Sequence, residues 1–144
     1  MKNKIATVFV TILLSGCGMP NDLGVSSDGQ LKLPPSTPNC ISSQASIEDK
    51  EHYMQPWTYD DPKETMQKLV QCIDEFGDTE IILSEDNYIQ AVFTTGWMRW
   101  KDDVEFYLDS TNKLVHFRSA SRIGYGDHGV NRKRMERLKE LYNN

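Results

Sequence analysis

The sequence predicts an α+β domain in which two helices pack on one face of a four-stranded antiparallel sheet. Three patterns lead to this fold class: a capped amphipathic segment over 61–77, alternating apolar residues over 79–122, and a second amphipathic segment after them. A helix on either side of a block of alternating segments is typical of a two-layer domain, because both helices can cover the same sheet face. The predicted order is helix, strand, strand, strand, strand, helix.

The first helix is predicted to begin after Asp61 and to end at Gly77. Asp61 can accept hydrogen bonds from the free amides of the first turn, and Pro62 suits the first helical position. Apolar side chains then recur at helical spacing, at Met66, Leu69, Val70, Ile73 and Phe76. Such a stripe covers one helix face and is expected to pack against the sheet.

The four strands are predicted where the apolar period falls from helical spacing to two. They form two hairpins, with strands over 80–84, 88–95, 103–109 and 114–122. Residues 85–87 and 110–113 connect the two members of each hairpin and consist of types that favour turns.

The register of the second hairpin follows from placing its tip at 111–112. Phe106 then lies opposite Phe117, and Glu105 lies opposite Arg118. Because side chains alternate between the two faces of a strand, the phenylalanines face the core and the charged pair faces away from it. An exposed pair of this kind contributes roughly 0.2–1 kcal/mol, so its main effect is to orient Arg118.

The last helix is predicted to have Asn131 as its N-cap, and its first turn carries Arg132, Lys133 and Arg134. Cations in a first turn oppose the helix dipole, at a cost of about 0.3–1 kcal/mol each. We therefore expect a negative group against this turn. The candidates are a bound anion or the strand carboxylates Asp102, Asp103 and Glu105.

The strongest candidate site is the glycine-punctuated stretch over 118–134 together with the acidic strand before it. Its candidate residues are Asp103, Glu105, Arg118, Arg122, Asp127, Asn131 and Arg132. One interpretation is an internal ion-pair network, because buried arginines are usually paired. The other is a cradle for a small anion, built from free helix amides, a glycine-rich approach and basic side chains. For Asp127 we expect hydrogen bonds to turn amides or to a guanidinium.

The segment Trp97-Met98-Arg99-Trp100 lies between the two hairpins and is dense in aromatic side chains. Core packing is the expected role for tryptophan. The alternatives are the lining of a ligand groove and contact with a lipid surface.

The amino terminus predicts export and lipid attachment. Two lysines precede an apolar run over 5–14, and Leu14-Ser15-Gly16-Cys17 resembles the lipobox of bacterial lipoproteins. We therefore predict a lipoprotein signal peptide over 1–16 and a lipid on Cys17, which anchors the protein to a membrane of the cell envelope without spanning it. Gly18 after the cysteine favours the outer membrane, with the domain facing the periplasm.

The rest of the chain is predicted as a flexible tether over 17–33 and a single domain over 34–144. Small polar residues dominate the tether. Prolines make 33–40 an extended entry segment, and 41–59 has no clear period and is predicted as an ordered loop.

The net charge of the chain argues against one class of partner, nucleic acid. The net charge of −5 becomes −7 once Lys2 and Lys4 are removed with the signal peptide, and an acidic chain does not favour nucleic acid.

Cys40 and Cys72 either form a disulfide, which an exported location permits, or pack as two buried thiols. The three histidines are scattered, so no metal site is predicted, and no cofactor is expected either.

Three stretches resemble the domain-of-unknown-function family 1499: Pro38–Ser43, Asp102–Phe106 and Arg118–Leu138. The resemblance covers roughly residues 34–142, and the last stretch is its most specific part. Many members of that family look like bacterial lipoproteins, in agreement with Cys17. The resemblance implies no activity, cofactor or substrate.

The sequence leaves three hypotheses for the function. The first is a non-enzymatic envelope lipoprotein that binds an envelope protein or a small anionic ligand beside Arg118–Arg134. The second is an envelope hydrolase or transferase in which the same arginines hold an anionic substrate and Asp103, Glu105 or Asp127 serves as acid or base. The third is a structural lipoprotein whose motif joins strand to helix.

Overall fold

The computed structural model describes residues 22–144 of the protein. The predicted signal peptide over 1–16, the predicted lipidation site Cys17 and the first residues of the predicted tether lie outside the described residues. Among residues 22–144, no helix combines the length and the apolar character needed to cross a membrane.

Two helices are present, α1 over Pro62–Phe76 and α2 over Val130–Asn143. The predicted start of α1 is confirmed, because the side chain of Asp61 accepts a hydrogen bond of 2.8 Å from the backbone amide of Glu64. Gly77 follows α1 with a positive φ of 82°, a backbone conformation that glycine adopts without strain.

The sheet has six strands where four were predicted. They are β1 (Cys40–Ser42), β2 (Trp57–Thr58), β3 (Thr79–Ser84), β4 (Tyr88–Thr95), β5 (Trp100–Asp109) and β6 (Leu114–Ser121). All pair antiparallel in the order β1-β6-β5-β4-β3, and β2 also pairs with β6. The α+β class and the two hairpins are therefore confirmed, whereas the strand count and the order along the chain were wrong in detail.

The two additional strands lie in the segment that was predicted as an extended entry and an ordered loop. β1 has three residues and β2 has two, too few to show an alternating period. They are strands because β6 offers them its free edge: Cys40 lies opposite Ala120, and Trp57 lies opposite Val115.

The predicted register of the second hairpin is confirmed, with Phe106 opposite Phe117 and Glu105 opposite Arg118. Both helices cover the face that carries the phenylalanines. Fully buried side chains from the sheet and from both helices meet there, among them Leu69, Ile73, Phe93, Phe106, Phe117, Met135 and Leu138. We refer to this as the helix face of the sheet and to the opposite side as the outer face.

The outer face is covered in part by residues 22–33, which the sequence assigned to a tether. The amide of Gly24 donates a hydrogen bond of 2.9 Å to Glu105, and the amide of Leu31 donates one of 2.8 Å to the side chain of Gln44. Leu31 is buried but lies outside the core under the helices. These contacts shield a charged part of the sheet from water.

Leu31 provides a test of this packing. Because its side chain is buried, Leu31→Ala should lower the free energy of unfolding by about 2–5 kcal/mol, measured by urea denaturation. Leu33→Ala is the matched control, since Leu33 is exposed and its truncation should change stability little. Equal stability of the two variants would mean that residues 22–33 behave as a free tether.

Candidate functional site

The start of α2 is organised by Asp127. Its Oδ1 accepts a hydrogen bond of 2.9 Å from the amide of Gly129, and its Oδ2 accepts one of 2.8 Å from the amide of Asn131. Burial raises the pKa of Asp127, but the hydrogen bonds from Asn131 and Gly129 lower it, and the net shift is downward. The expected role of Asp127 in binding turn amides is thus confirmed.

Asn131 is not the N-cap that the sequence predicted. The residue before the helix is Gly129, in a left-handed conformation with φ of 77°, and Asn131 lies inside the first turn. Its side chain is fully buried and joins four segments of the fold. The amide nitrogen donates to the carbonyl of Asn39, to Ser121 and to Asp127, at 3.1, 3.0 and 2.7 Å.

Arg134 continues this network into the sheet. Its Nη1 donates to Asn131 Oδ1 at 2.6 Å and to Ser119 Oγ at 2.9 Å, and its Nη2 forms a buried ion pair with Asp102. The guanidinium lies over the ring of Phe93, 5.2 Å from its centre. Burial lowers the pKa of Arg134 from its ordinary value, an effect that the charge of Asp102 opposes. An arginine nevertheless stays protonated in a protein, so the pair is charged.

Arg122 and Asp103 form a second pair on the outer face. Arg122 donates two hydrogen bonds to the two oxygens of Asp103, at 2.9 and 2.8 Å. This is the bidentate geometry that suits arginine and carboxylate. The hydrogen bonds raise the pKa of Arg122 further above its ordinary value.

The third pair, Arg118 with Glu105, lies beside it and is buried. The nearest nitrogen and oxygen are 3.5 Å apart. The other oxygen of Glu105 accepts from the hydroxyl of Tyr88 at 2.8 Å and from the amide of Gly24. Burial raises the pKa of Tyr88, so its hydroxyl keeps the proton that it donates.

The three cations of the first turn of α2 have different environments. Arg134 meets a strand carboxylate, as expected. Arg132 does not: its Nη2 donates to the carbonyls of Lys50, Glu51 and Tyr53 at 3.1–3.2 Å. Lys133 is exposed.

The predicted site residues therefore form separate groups and not one cluster. Asp103, Glu105, Arg118 and Arg122 lie on the outer face, Asp127 and Asn131 lie at the start of α2 on the helix face, and Arg132 points to the loop before β2. The sheet stands between the first two groups. No arginine of the predicted set is left without a protein partner.

A pocket of about 310 Å³ lies beside this network, between the ends of β4, β5 and β6 and the loop over 122–129. Apolar walls come from Trp100, Ile123 and Val130, and polar groups come from Asp102 and Ser121. A shallower depression of about 390 Å³, between α1 and the end of α2, is lined mainly by polar side chains and lies away from the motif.

Trp100 lines the pocket, and two further exposed aromatic residues are close to lining residues in the chain: Trp97 precedes Trp100 by three residues, and Tyr125 lies between Gly124 and Gly126. Trp97 is 89% exposed, Tyr125 is 75% exposed and Trp100 is 44% exposed. Core packing was the expected role for the tryptophans of residues 97–100, and that expectation was wrong. The tight turn over 96–99, with positive φ at Gly96 and Arg99, directs this segment away from the core.

The comparison with protein families agrees with the resemblance seen in the sequence. A family model described as "Protein of unknown function (DUF1499)" matches residues 30–141. The chain belongs to this family. No curated protein matches the chain.

The cysteines of the DUF1499 domain are both buried and unbonded. Cys72 belongs to the core under α1, whereas Cys40 lies on the outer face, in line with Ala120 and Asp103. Burial raises the pKa of Cys40 to about 11. Among the described residues, no group of three or more His, Cys, Asp or Glu side chains is arranged to hold a metal ion.

Several residues that build the site were not in the predicted set. Arg134, Ser119 and Ser121 complete the network around Asn131, and Trp100 and Ile123 line the pocket. Arg134 had a signal in the sequence, because a cation in a first turn requires an acidic partner. Nothing in the sequence indicated the pocket, because it forms where the ends of β4, β5 and β6 meet the loop over 122–129.

Arg134 offers a test of the network. Arg134→Met should destabilise the domain by about 3–5 kcal/mol, because Asp102 then stays buried without its cation. Adding Asp102→Asn should recover part of the loss, since it removes the unpaired charge. Urea denaturation of the single and double variants measures both effects.

The matched control is Arg99→Met, which breaks the exposed pair between Arg99 and Asp78. Exposed pairs contribute little. If Arg134→Met costs no more than Arg99→Met, the buried network is not what holds α2 to the sheet.

Asp127 predicts a pH dependence. Its pKa is lowered in the folded state, so the stability it provides is present above the ordinary aspartate pKa and is lost as pH falls through the lowered value. Asp127→Asn should therefore be less stable than wild type at neutral pH, and the difference should shrink in acid. Urea denaturation across the acid range measures it, with the exposed Asp60→Asn as control. A difference that stays constant with pH would contradict the assignment.

Proposed function

We propose that this DUF1499 protein is a non-enzymatic binding module of the bacterial cell envelope, attached to a membrane through a lipid on Cys17, and that its ligand enters the pocket beside α2. The single observation that carries the proposal is the pocket itself: a cavity of about 310 Å³ with apolar walls that include the half-exposed ring of Trp100. Ligand sites are concave and mostly apolar, with a few well-placed polar groups.

The ion pairs support a structural role for the motif within this module. Asp127 and Asn131 hold the start of α2, and that start forms one wall of the pocket. Arg122 is fixed to Asp103 where the loop over 122–129 leaves β6. The ion pairs of Arg118 and Arg122 thus hold the elements that form the pocket, while other motif residues, among them Asp102 and Asp127, line it.

The same contacts argue for a ligand other than a small anion. An anion cradle needs cations whose hydrogen-bonding groups are free to turn to the ligand. Arg122 and Arg134 donate hydrogen bonds to carboxylates, and Arg132 donates to three carbonyls. Arg118 has a buried Nε without a partner among the described residues, but its side chain is 7% exposed and lies beside Glu105, on the face of the sheet away from the pocket.

A binding role is favoured over the hydrolase or transferase alternative by the state of the carboxylates. A general acid or base must be able to exchange a proton with its substrate. Asp103 is held by two hydrogen bonds from Arg122, Glu105 is fully buried, and both oxygens of Asp127 accept backbone amides.

The proposed anchor places the domain near the membrane. Only four residues separate Cys17 from Asp22, where the described structure begins. An extended chain covers at most about 3.6 Å per residue, so Asp22 would lie within about 18 Å of the lipid-bearing cysteine. A pocket on such a domain would meet ligands of the envelope close to the bilayer.

Trp100 provides the test. A panel of alkyl, aromatic, amine, saccharide and phosphate compounds is screened against the full chain by thermal unfolding and by tryptophan fluorescence. At least one uncharged or apolar class should stabilise the protein, by about 2.7 kcal/mol when its concentration is a hundredfold above Kd. Trp100→Ala should abolish the effect, and Leu33→Ala should retain it.

Two outcomes would contradict the proposal. One is a panel in which no compound binds. The other is stabilisation by phosphate alone that survives Trp100→Ala and is lost in Arg122→Ala.

A further inference from the structure

We infer that the pocket beside α2 binds an uncharged saccharide unit, such as the sugars of an envelope glycan. The inference rests on the proposed function, which makes this pocket the ligand site, and it adds the chemical class of the ligand. Three properties of the pocket carry it: a free acceptor oxygen beside a free hydroxyl donor, an aromatic wall, and the absence, among the described lining residues, of a lysine or arginine side chain directed into it.

The acceptor is Oδ1 of Asp102. This side chain is 3% exposed, and its Oδ2 is occupied by Arg134 and by the hydroxyl of Thr95. Among the described residues, Oδ1 accepts no hydrogen bond. Three unpaired side-chain atoms of these residues are fully buried: Trp57 Nε1, Glu105 Oε2 and Arg118 Nε. Asp102 Oδ1 is not among them, so it keeps some exposed surface. It therefore meets the solvent of the pocket that Asp102 lines.

The donor is the hydroxyl of Ser121. Asp102 and Ser121 are opposite each other across β5 and β6, so their side chains lie next to each other on the helix face. Ser121 Oγ accepts a hydrogen bond of 3.0 Å from Asn131, which leaves its own proton free among the described residues. An acceptor oxygen next to a hydroxyl donor matches one sugar hydroxyl, or two neighbouring ones, each of which both donates and accepts.

The aromatic wall suits the other side of a sugar ring. Trp100 lines the pocket and is 44% exposed, so its ring is open to a ligand. A saccharide presents C–H groups on the faces of its ring and hydroxyls around the edge, and an aromatic side chain offers a flat apolar surface for the former. Ile123 and Val130 add to the apolar lining.

The charged side chains around the pocket argue against an ionic ligand. The charge of Asp102 is compensated by Arg134, which disfavours a cation as ligand. Lys101, the lysine among the lining residues, alternates with Asp102 along β5, so its side chain projects to the outer face, where the ammonium donates to Thr94 at 2.6 Å. Its charge is therefore directed away from the pocket, which disfavours an anion. A neutral ligand with several donors therefore fits better than a charged one. A peptide offers one backbone donor per residue and is the competing class for the test.

The test titrates the full chain with oligosaccharides of N-acetylglucosamine, followed by calorimetry and tryptophan fluorescence. Binding is expected, and Trp100→Ala should weaken it at least about tenfold, which corresponds to the 1.4 kcal/mol per decade of affinity. Ser121→Ala removes the donor, together with one of the three acceptors of the Asn131 amide, and should weaken binding about fivefold. Leu33→Ala should bind as wild type does, and thermal unfolding of each variant confirms that it is folded.

The outcomes separate the two proposals. If alkyl or aromatic compounds or short uncharged peptides bind in a Trp100-dependent way while the oligosaccharides do not, the saccharide assignment is overturned and the pocket remains the ligand site. If neither class binds, both proposals fall. Saccharide binding that is unchanged in both Trp100→Ala and Ser121→Ala would place the sugar elsewhere and overturn the inference.

Discussion

The buried contact of Arg134 with Asp102 fixes the position of α2 on the sheet, and the other features of the site depend on that position. Both charges are withdrawn from water, which is tolerated only when the pair is close and its remaining hydrogen-bonding groups are used. Asn131, Ser119 and Thr95 supply those hydrogen bonds. A helix held in this way has one allowed rotation about its axis, so its opening residues and the loop before them are held in place as well.

The two adjacent aspartates of β5 form ion pairs on opposite faces of the sheet. Asp102 points to the helix face and meets α2, whereas Asp103 points to the outer face and meets Arg122. Consecutive residues in a strand always face opposite ways, so two adjacent aspartates connect to two separate parts of the chain. Both aspartates of the DUF1499 motif thus form internal ion pairs, and one of them, Asp102, also lines the pocket.

Local signals in the sequence predicted much of the fold. The helix start at Asp61, the two hairpins and the opposition of Phe106 and Phe117 each follow from spacing or from turn chemistry within a short window. β1 and β2 were missed because two or three residues carry no period, and they become strands only through pairing with β6. The charged residues of the site were found, but their division between two faces requires a register that extends from β4 to β1.

The pocket could not be predicted from the sequence, because it also depends on pairing between distant segments. Trp100 is the first residue of β5 and Ile123 belongs to the loop after β6, and the two are brought together by the end of the β5–β6 ladder, where the amide of Arg122 donates to the carbonyl of Lys101 at 3.1 Å. Tryptophan in a sequence usually indicates burial, and nothing near Trp97 signalled the opposite. The N-cap was displaced because Asp127, four residues before Asn131, satisfies the free amides from outside the helix.

The contact of Gly24 with Glu105 limits how the domain can turn in space. A protein joined to a surface by a long flexible linker samples all orientations, but here Gly24, seven residues after Cys17, is already bound to the outer face. If the proposed lipid is attached to Cys17, the linker between lipid and domain is short. Such a linker would restrict rotation of the domain, so that the pocket would be presented to its surroundings at a preferred angle.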